Sequence, residues 1–224
     1  DSSHLLPAEW RDKKVCFMTG VVADFKFSGS EDVFLGGCDQ DTRLNPTKED
    51  RILTWSGGRW KWDLDSKIPL RKKELGWGTV YLTTSDLNND GRIDIVALTH
   101  DWGFHQGIPQ ILIRKMDSNK KNFIDSKIIN WPTVLSQSHN YLHKIISYDI
   151  DGDGFLDLIG QINYIDQGFV LMPNIFVLLN KKDHWKYNEK IFEIPRNKFV
   201  VGIDKIKLNG SNKDSLVFIF NDGV

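Results

Sequence analysis

The sequence predicts an all-β chain built from tandem four-stranded units, and three observations carry that prediction. Short segments rich in Val, Ile, Phe and Tyr recur along its length, and such side chains suit the pleated, half-buried surface of a strand. No window spaces its apolar residues at i, i+3, i+4 and i+7, as an amphipathic helix would. The segments also return in one fixed order with a period of about 60 residues, nearer the size of propeller blades than of the shorter helical solenoid repeats. Four-stranded units in tandem suggest a β-propeller.

The first unit, about residues 13–70, reads as "KVCFMTGVVAD", "EDVFLGGCD", "RILTWSG" and "RWKWDLD". In the second, about 75–132, the corresponding segments are "TVYLTTSD", "DIVALTH", "QILIRK" and "FIDSKIINW". The third, about 139–195, supplies "HKIISYD", "DLIGQINY", "NIFVLLNK" and "KYNEKIFEI". The fourth, about 198–224, reaches only its second strand at "SLVFIFNDGV". Roughly 3.5 blades do not close a ring, and an open strand edge invites pairing. Residues Asp1 to Asp12 folding back, further chain, or another chain would complete it, and the expectation here is a part of a larger propeller.

Between the first and second strands of each unit lies a polar loop, and in two units it has a defined chemistry. The second unit offers Asp86, Asn88, Asp90, the backbone carbonyl of Arg92, and Asp94, with Gly91 at the turn. The third offers Asp149, Asp151, Asp153, the carbonyl of Phe155, and Asp157, with Gly154 at the turn. Calcium takes six to eight hard oxygen ligands, which side chains at alternate positions of a tight loop plus one carbonyl and a closing carboxylate provide. Two Ca2+ sites are expected, the third-unit loop binding more tightly and losing order without metal. An EF-hand would end in Glu at position twelve between helices; here that position is Ala97 or Gly160, and the flanks are strands.

The other two loops are degenerate. In the first, Asp24 and Asp32 remain, but Lys26 and Ser28 stand at the second and third ligand positions. An ammonium there can pair with the loop's carboxylates and replace a metal's charge, and this loop is expected to be free of metal. In the fourth, aligned on Lys207, Asn209 and Ser211 replace acids and Asp214 breaks the nine-residue spacing.

These loops resemble the FG-GAP or VCBS repeats found in the seven-bladed propeller of integrin α subunits and in many secreted bacterial and eukaryotic proteins. The lead-in "GWGTVYLTTSD" stands where that family has Phe-Gly, and "ALTHD" or "IGQIN" where it has Gly-Ala-Pro, although neither motif is literally present. The resemblance implies a seven-bladed-type propeller that binds protein or glycan partners on one face.

Composition narrows the partners. Lys plus Arg number 29 against 30 Asp plus Glu, a net charge of −1, so no global field recruits nucleic acid or anionic membrane. Apolar runs such as "NIFVLLN" fall short of the ~20 residues a membrane-spanning helix needs. Cys16 and Cys38 read either as buried thiols or, if their strands are neighbours, as a disulfide, which implies an oxidising compartment.

"THDWGFHQGIP", with His100 and His105, reads as an inter-strand loop or, less simply, as a transition-metal or sugar site. Trp60 and Trp62, two residues apart on one strand, read as packing between units. No catalytic motif is present. The expected function is non-catalytic recognition and scaffolding at the cell surface, in the periplasm or in a secreted protein. The alternatives are a glycan-active lyase or hydrolase drawing on His100, His105, His139 and His143, and a purely structural subunit.

Overall fold

Among the described residues the chain forms fourteen strands in order. They are β1 (Phe17–Ala23), β2 (Asp32–Gly37), β3 (Arg51–Ser56), β4 (Arg59–Trp62), β5 (Gly78–Ser85), β6 (Asp94–His100) and β7 (Gln110–Met116), followed by β8 (Phe123–Asn130), β9 (Asn140–Tyr148), β10 (Asp157–Asp166), β11 (Phe169–Asn180), β12 (Trp185–Asn188), β13 (Lys198–Lys207) and β14 (Asp214–Asp222). The computed structural model describes residues 5–8, 17–37, 50–66, 68, 78–100, 110–117, 122–130, 140–166, 169–188, 192, 198–208 and 214–222. Every element with both ends among them is a strand.

The strands form three four-stranded sheets and one two-stranded sheet, each a meander in which chain neighbours pair: β1-β2-β3-β4, β5-β6-β7-β8, β9-β10-β11-β12 and β13-β14. All the pairings are antiparallel. Turn chemistry fixes the tightest connection, where Gly57 and Gly58 both take positive φ, 62° and 74°, between the paired residues Ser56 and Arg59. Two left-handed residues match the twist of a two-residue hairpin, which is why glycine stands at both.

In the third sheet, β10 and β11 extend further than the sequence segments indicated, reaching Asp166 and beginning at Phe169. Pro173, which donates no ladder bond, is accommodated because β12 pairs only with Val177 to Asn180. Among the described residues Pro173 therefore has one neighbour strand, β10.

The chain divides into two compact units, Asp1–Asp86 with Asp90–Trp131, and Leu87–Asn89 with Pro132–Val224. In the first, the sheets β1–β4 and β5–β8 share one apolar core. Ala23, Phe25, Phe34 and Ile52 meet Leu82, Ile95, Ala97, Leu112, Met116 and Phe123. Three of the rings, Phe25, Phe34 and Phe123, stand edge-on to one another at centroid distances of 5.5 to 6.2 Å, the arrangement that aromatic quadrupoles favour.

A buried ion pair joins these two sheets. Arg114 on β7 is fully buried, and its Nη1 meets Oδ2 of Asp50. The other oxygen of Asp50 accepts from the Gly37 amide and from Thr79 Oγ1, both at 3.0 Å, so the carboxylate ties the end of β2, the start of β5 and the middle of β7. Beside it a Cβ on Gly36 would fall 2.7 Å from Thr79 Cγ2; only glycine lets β2 approach β5 so closely.

The second unit repeats the plan with other residues. Ile146, Ile159, Val177 and Leu179 of the third sheet pack on Val200 and Ile203 of the fourth, and the buried Gln161 donates from Nε2 to the Val200 carbonyl at 2.8 Å. Within the third sheet the Phe176 ring covers its cross-strand partner Gly160, where a Cβ would lie 1.9 Å from the ring.

The buried ion pair yields a stability prediction. Asp50→Ala strands the Arg114 charge in the core, and urea unfolding should show a loss of about 3–5 kcal/mol, whereas the double change Asp50→Leu with Arg114→Met should recover most of it.

Candidate metal centre

Three loops join a first to a second strand with the same register. Ala23 pairs with Asp32, Ser85 with Asp94 and Tyr148 with Asp157, so the opening Asp24, Asp86 or Asp149 directly follows the first strand and the closing Asp begins the second. Counting the opening Asp as position one, positions four and six are left-handed in all three. Position four is Phe27 (φ 54°), Asn89 (φ 56°) or Gly152 (φ 76°), and position six is Gly29, Gly91 or Gly154 (φ 77° to 89°). A bulky residue rarely adopts this region. Phe27 shows that the degenerate first loop keeps the frame even where its residue type opposes it.

The opening carboxylate holds the frame by collecting backbone amides. Asp24 accepts from Ser28 and Gly29, both at 2.8 Å; Asp86 accepts from Asp90 at 3.0 Å and Gly91 at 2.8 Å. Asp149 accepts from Gly152 at 2.8 Å and Gly154 at 3.0 Å. Burial would raise the Asp24 pKa, but the hydrogen bonds from Ser28 and Gly29 outweigh it and the group sits below its ordinary value.

Position two points the other way. Phe25 and Leu87 are buried, and Ile150 packs on the core of the second unit. The sequence pattern left this position unspecified, yet its apolar character in all three loops was a readable signal.

The closing carboxylate is buried each time: Asp32, Asp94 and Asp157 are 1%, 3% and 0% exposed. Asp157 is met by two backbone amides, Asn180 N at 2.7 Å and Ile150 N at 2.9 Å. Burial pushes its pKa up; those amides pull it down, the carboxylates of Asp151 and Asp153 push it up again, and the net shift is upward. Asp32 is also raised, first by burial, against the hydrogen bond from Thr54. Its Oδ1 accepts from Thr54 Oγ1 at 2.5 Å, while Oδ2 is buried without a hydrogen bond among the described residues.

The third loop gathers ligands most fully. One carboxylate oxygen from each of Asp149, Asp151 and Asp153 lies within 4.8 Å of the others, and among the described residues no other set of three His, Cys, Asp or Glu side chains does so. An all-oxygen set of this spacing can hold a hard metal cation. A cation already sits there in another form, because Lys181 Nζ contacts Oδ2 of both Asp151 and Asp153, the latter at 2.8 Å. The ammonium depresses the Asp153 pKa, and the two carboxylates hold the lysine above its ordinary range. Nothing in the local motif marked Lys181, which follows β11 and is brought in by strand register.

In the second loop the expected ligands divide. Asp86 and Asp90 are engaged with loop amides, Asp90 Oδ1 accepting from Arg92 N at 2.9 Å; Asn88 is exposed and Asp94 is buried. These side chains do not form a three-acid group like that of the third loop.

Two expectations are corrected. Lys26 pairs with Asp63, just beyond β4, rather than with the carboxylates of its own loop, because Asp63 is nearly buried and needs a counter-charge. The fourth loop is shifted by one residue: Lys207 pairs with Asp214 and so corresponds to the last strand residue, leaving Leu208 at position one and a shorter loop.

Trp55, Trp60 and Trp62 lie with Leu53 on the face of the first sheet opposite Ile52, away from the core shared with the second sheet. Trp55 and Trp60 form an edge-on pair at 5.3 Å, and the Arg51 guanidinium covers Trp62. Cys16, Cys38, His105 and His139 lie outside the described residues, as do the side chains of His100 and His143. Compared with known proteins, the chain matches no family model and no curated protein. No helix among the described residues is long and apolar enough to cross a membrane.

Removing the clamp tests the frame. Asp149→Ala deprives the Gly152 and Gly154 amides of their acceptor, so amide exchange across residues 149–156 should accelerate, each lost bond counting for about 1 kcal/mol, while exchange in β9 and β10 stays slow.

Proposed function

We propose that the chain is part of a calcium-stiffened β-propeller acting as a non-catalytic recognition and scaffold module outside the cytosol. The observation that carries this reading is the loop frame, which recurs between the first and second strands of three successive sheets with an opening Asp that accepts two loop amides, the same left-handed positions and a buried closing Asp.

Meandering four-stranded sheets that pack face to face are the units from which propellers are built, and the resemblance to FG-GAP or VCBS repeats supports that arrangement. Exposed apolar residues on the outer faces of the first and fourth sheets, Val22 and Trp55 on one and Ile206 and Ile219 on the other, suit further packing. Among the described residues β14 pairs only with β13, whereas β2, β6 and β10 each pair with a third strand. The free edge of β14 is read as accepting a strand, from the same chain or another.

In this reading Asp149, Asp151, Asp153, Asp157 and the Phe155 carbonyl hold one Ca2+, and Asp86, Asn88, Asp90, Asp94 and the Arg92 carbonyl hold a second. The ion supplies charge neutralisation to a crowded acidic loop, a structural role. The binding that matters biologically would fall to a propeller face engaging protein or glycan, and the near-neutral charge disfavours nucleic acid.

Calorimetry on metal-stripped protein should find two calcium ions bound, with Asp151→Ala removing one and Asp90→Ala the other; absence of binding heat with the unaltered chain would sink the calcium reading. A panel of immobilised glycans and extracellular proteins, probed with and without chelator, tests recognition, and a uniformly negative panel counts against it.

A further inference from the structure

The position of Lys181 follows from how its backbone is held. Asn180, the last residue of β11, donates its amide to buried Asp157 Oδ1 at 2.7 Å and its side-chain Nδ2 to the Leu156 carbonyl at 3.3 Å. The turn beyond is closed by Lys181 N to the His184 carbonyl at 2.9 Å, with Lys182 in the left-handed region. The same carboxylate that ends the third loop therefore fixes the backbone from which Lys181 extends.

From there its ammonium reaches Oδ2 of Asp151 and of Asp153 together. Those two side chains belong to the three whose oxygens converge to metal-binding separation. An ammonium and a divalent ion cannot both occupy the space between the same two oxygens.

We propose that Lys181 is a tethered counter-cation that competes with the divalent ion for Asp151 and Asp153, lowering the affinity of the third loop and keeping it ordered when no metal is bound. The inference rests on the calcium reading above and reverses two expectations from the motif alone, that the four-carboxylate loop binds especially tightly and that it loses order without metal. Occupancy then acts as a two-position switch. With the metal absent, Lys181 bridges loop and β11–β12 turn; with it bound, the ammonium is expelled to solvent and the turn loses that tie.

The test compares the full chain with Lys181→Met, which keeps most of the stem, and Lys181→Gln, which keeps a polar end, by calorimetry with calcium chloride on metal-stripped protein. Releasing a partly exposed ammonium from two carboxylates should tighten calcium binding at one site by about tenfold. The gain should vanish when Asp151→Asn is added. In calcium-free buffer, amide exchange at residues 149–156 should be faster in both variants than in the unaltered chain.

If the unaltered chain binds calcium and both variants bind it equally or more weakly, the competition is overturned while the calcium reading stands. If neither the unaltered chain nor the variants bind calcium, both fall. Binding by the variants where the unaltered chain shows none would uphold the competition and sink the calcium reading of the unaltered chain.

Discussion

The structure turns on a carboxylate at the first residue of a second strand, buried in three of the four sheets among the described residues. Removing a charged group from water costs several kcal/mol unless partners replace the solvent, so Asp32, Asp94 and Asp157 each constrain what may surround them. Asp157 takes two backbone amides, one from its own loop and one from the neighbouring strand. Asp32 takes the Thr54 hydroxyl of β3 and stands near the field of Lys26. In the third loop one of those amides is that of Ile150 at position two, so this loop folds inward over its own end and sets the apolar side chain of that position against the core of the second unit.

The core and the loops are thus one construction. Phe25 belongs both to the first loop and to the ring cluster shared by two sheets, and Ile150 plays the same part less deeply in the second unit. A rigid loop needs no metal to be anchored from below. What a cation adds is relief of repulsion among the carboxylates on the upper side, and in the third loop the chain supplies one of its own, Lys181 between Asp151 and Asp153, whereas Lys26 of the first loop serves Asp63 beyond β4.

Much of this was legible in the sequence for a simple reason: strand pairing here is local. Every sheet is a meander, so runs such as "DIVALTH" and "QILIRK" pair with their chain neighbours and period-two reasoning suffices. The opening and closing acids of the loops were legible because they lie within nine positions. What escaped was non-local. Asp50 meets Arg114 across 64 residues, with neither in a motif, and Lys181 reaches its partners across 28 and 30. The fourth loop was misaligned because, without acids, only the pairing of Lys207 with Asp214 fixes where its strand ends. Position two is apolar in all three loops but carries no ligand chemistry, so a pattern of oxygen donors does not register it.

The two lysines also differ in how reversible their service can be. Lys26 lies within its own loop and faces Asp63, whose carboxylate is nearly buried and whose pKa is lowered by that ammonium and by Ser66 against the cost of burial. Withdrawing it would leave a desolvated charge unpaired, which is costly. Lys181 faces two carboxylates that are each about one-third exposed, where water can take over from the ammonium at little cost. The same chemical device is therefore fixed in the first loop and exchangeable in the third, and burial of the acid, rather than the number of acids, decides which loop can trade its internal cation for an external one.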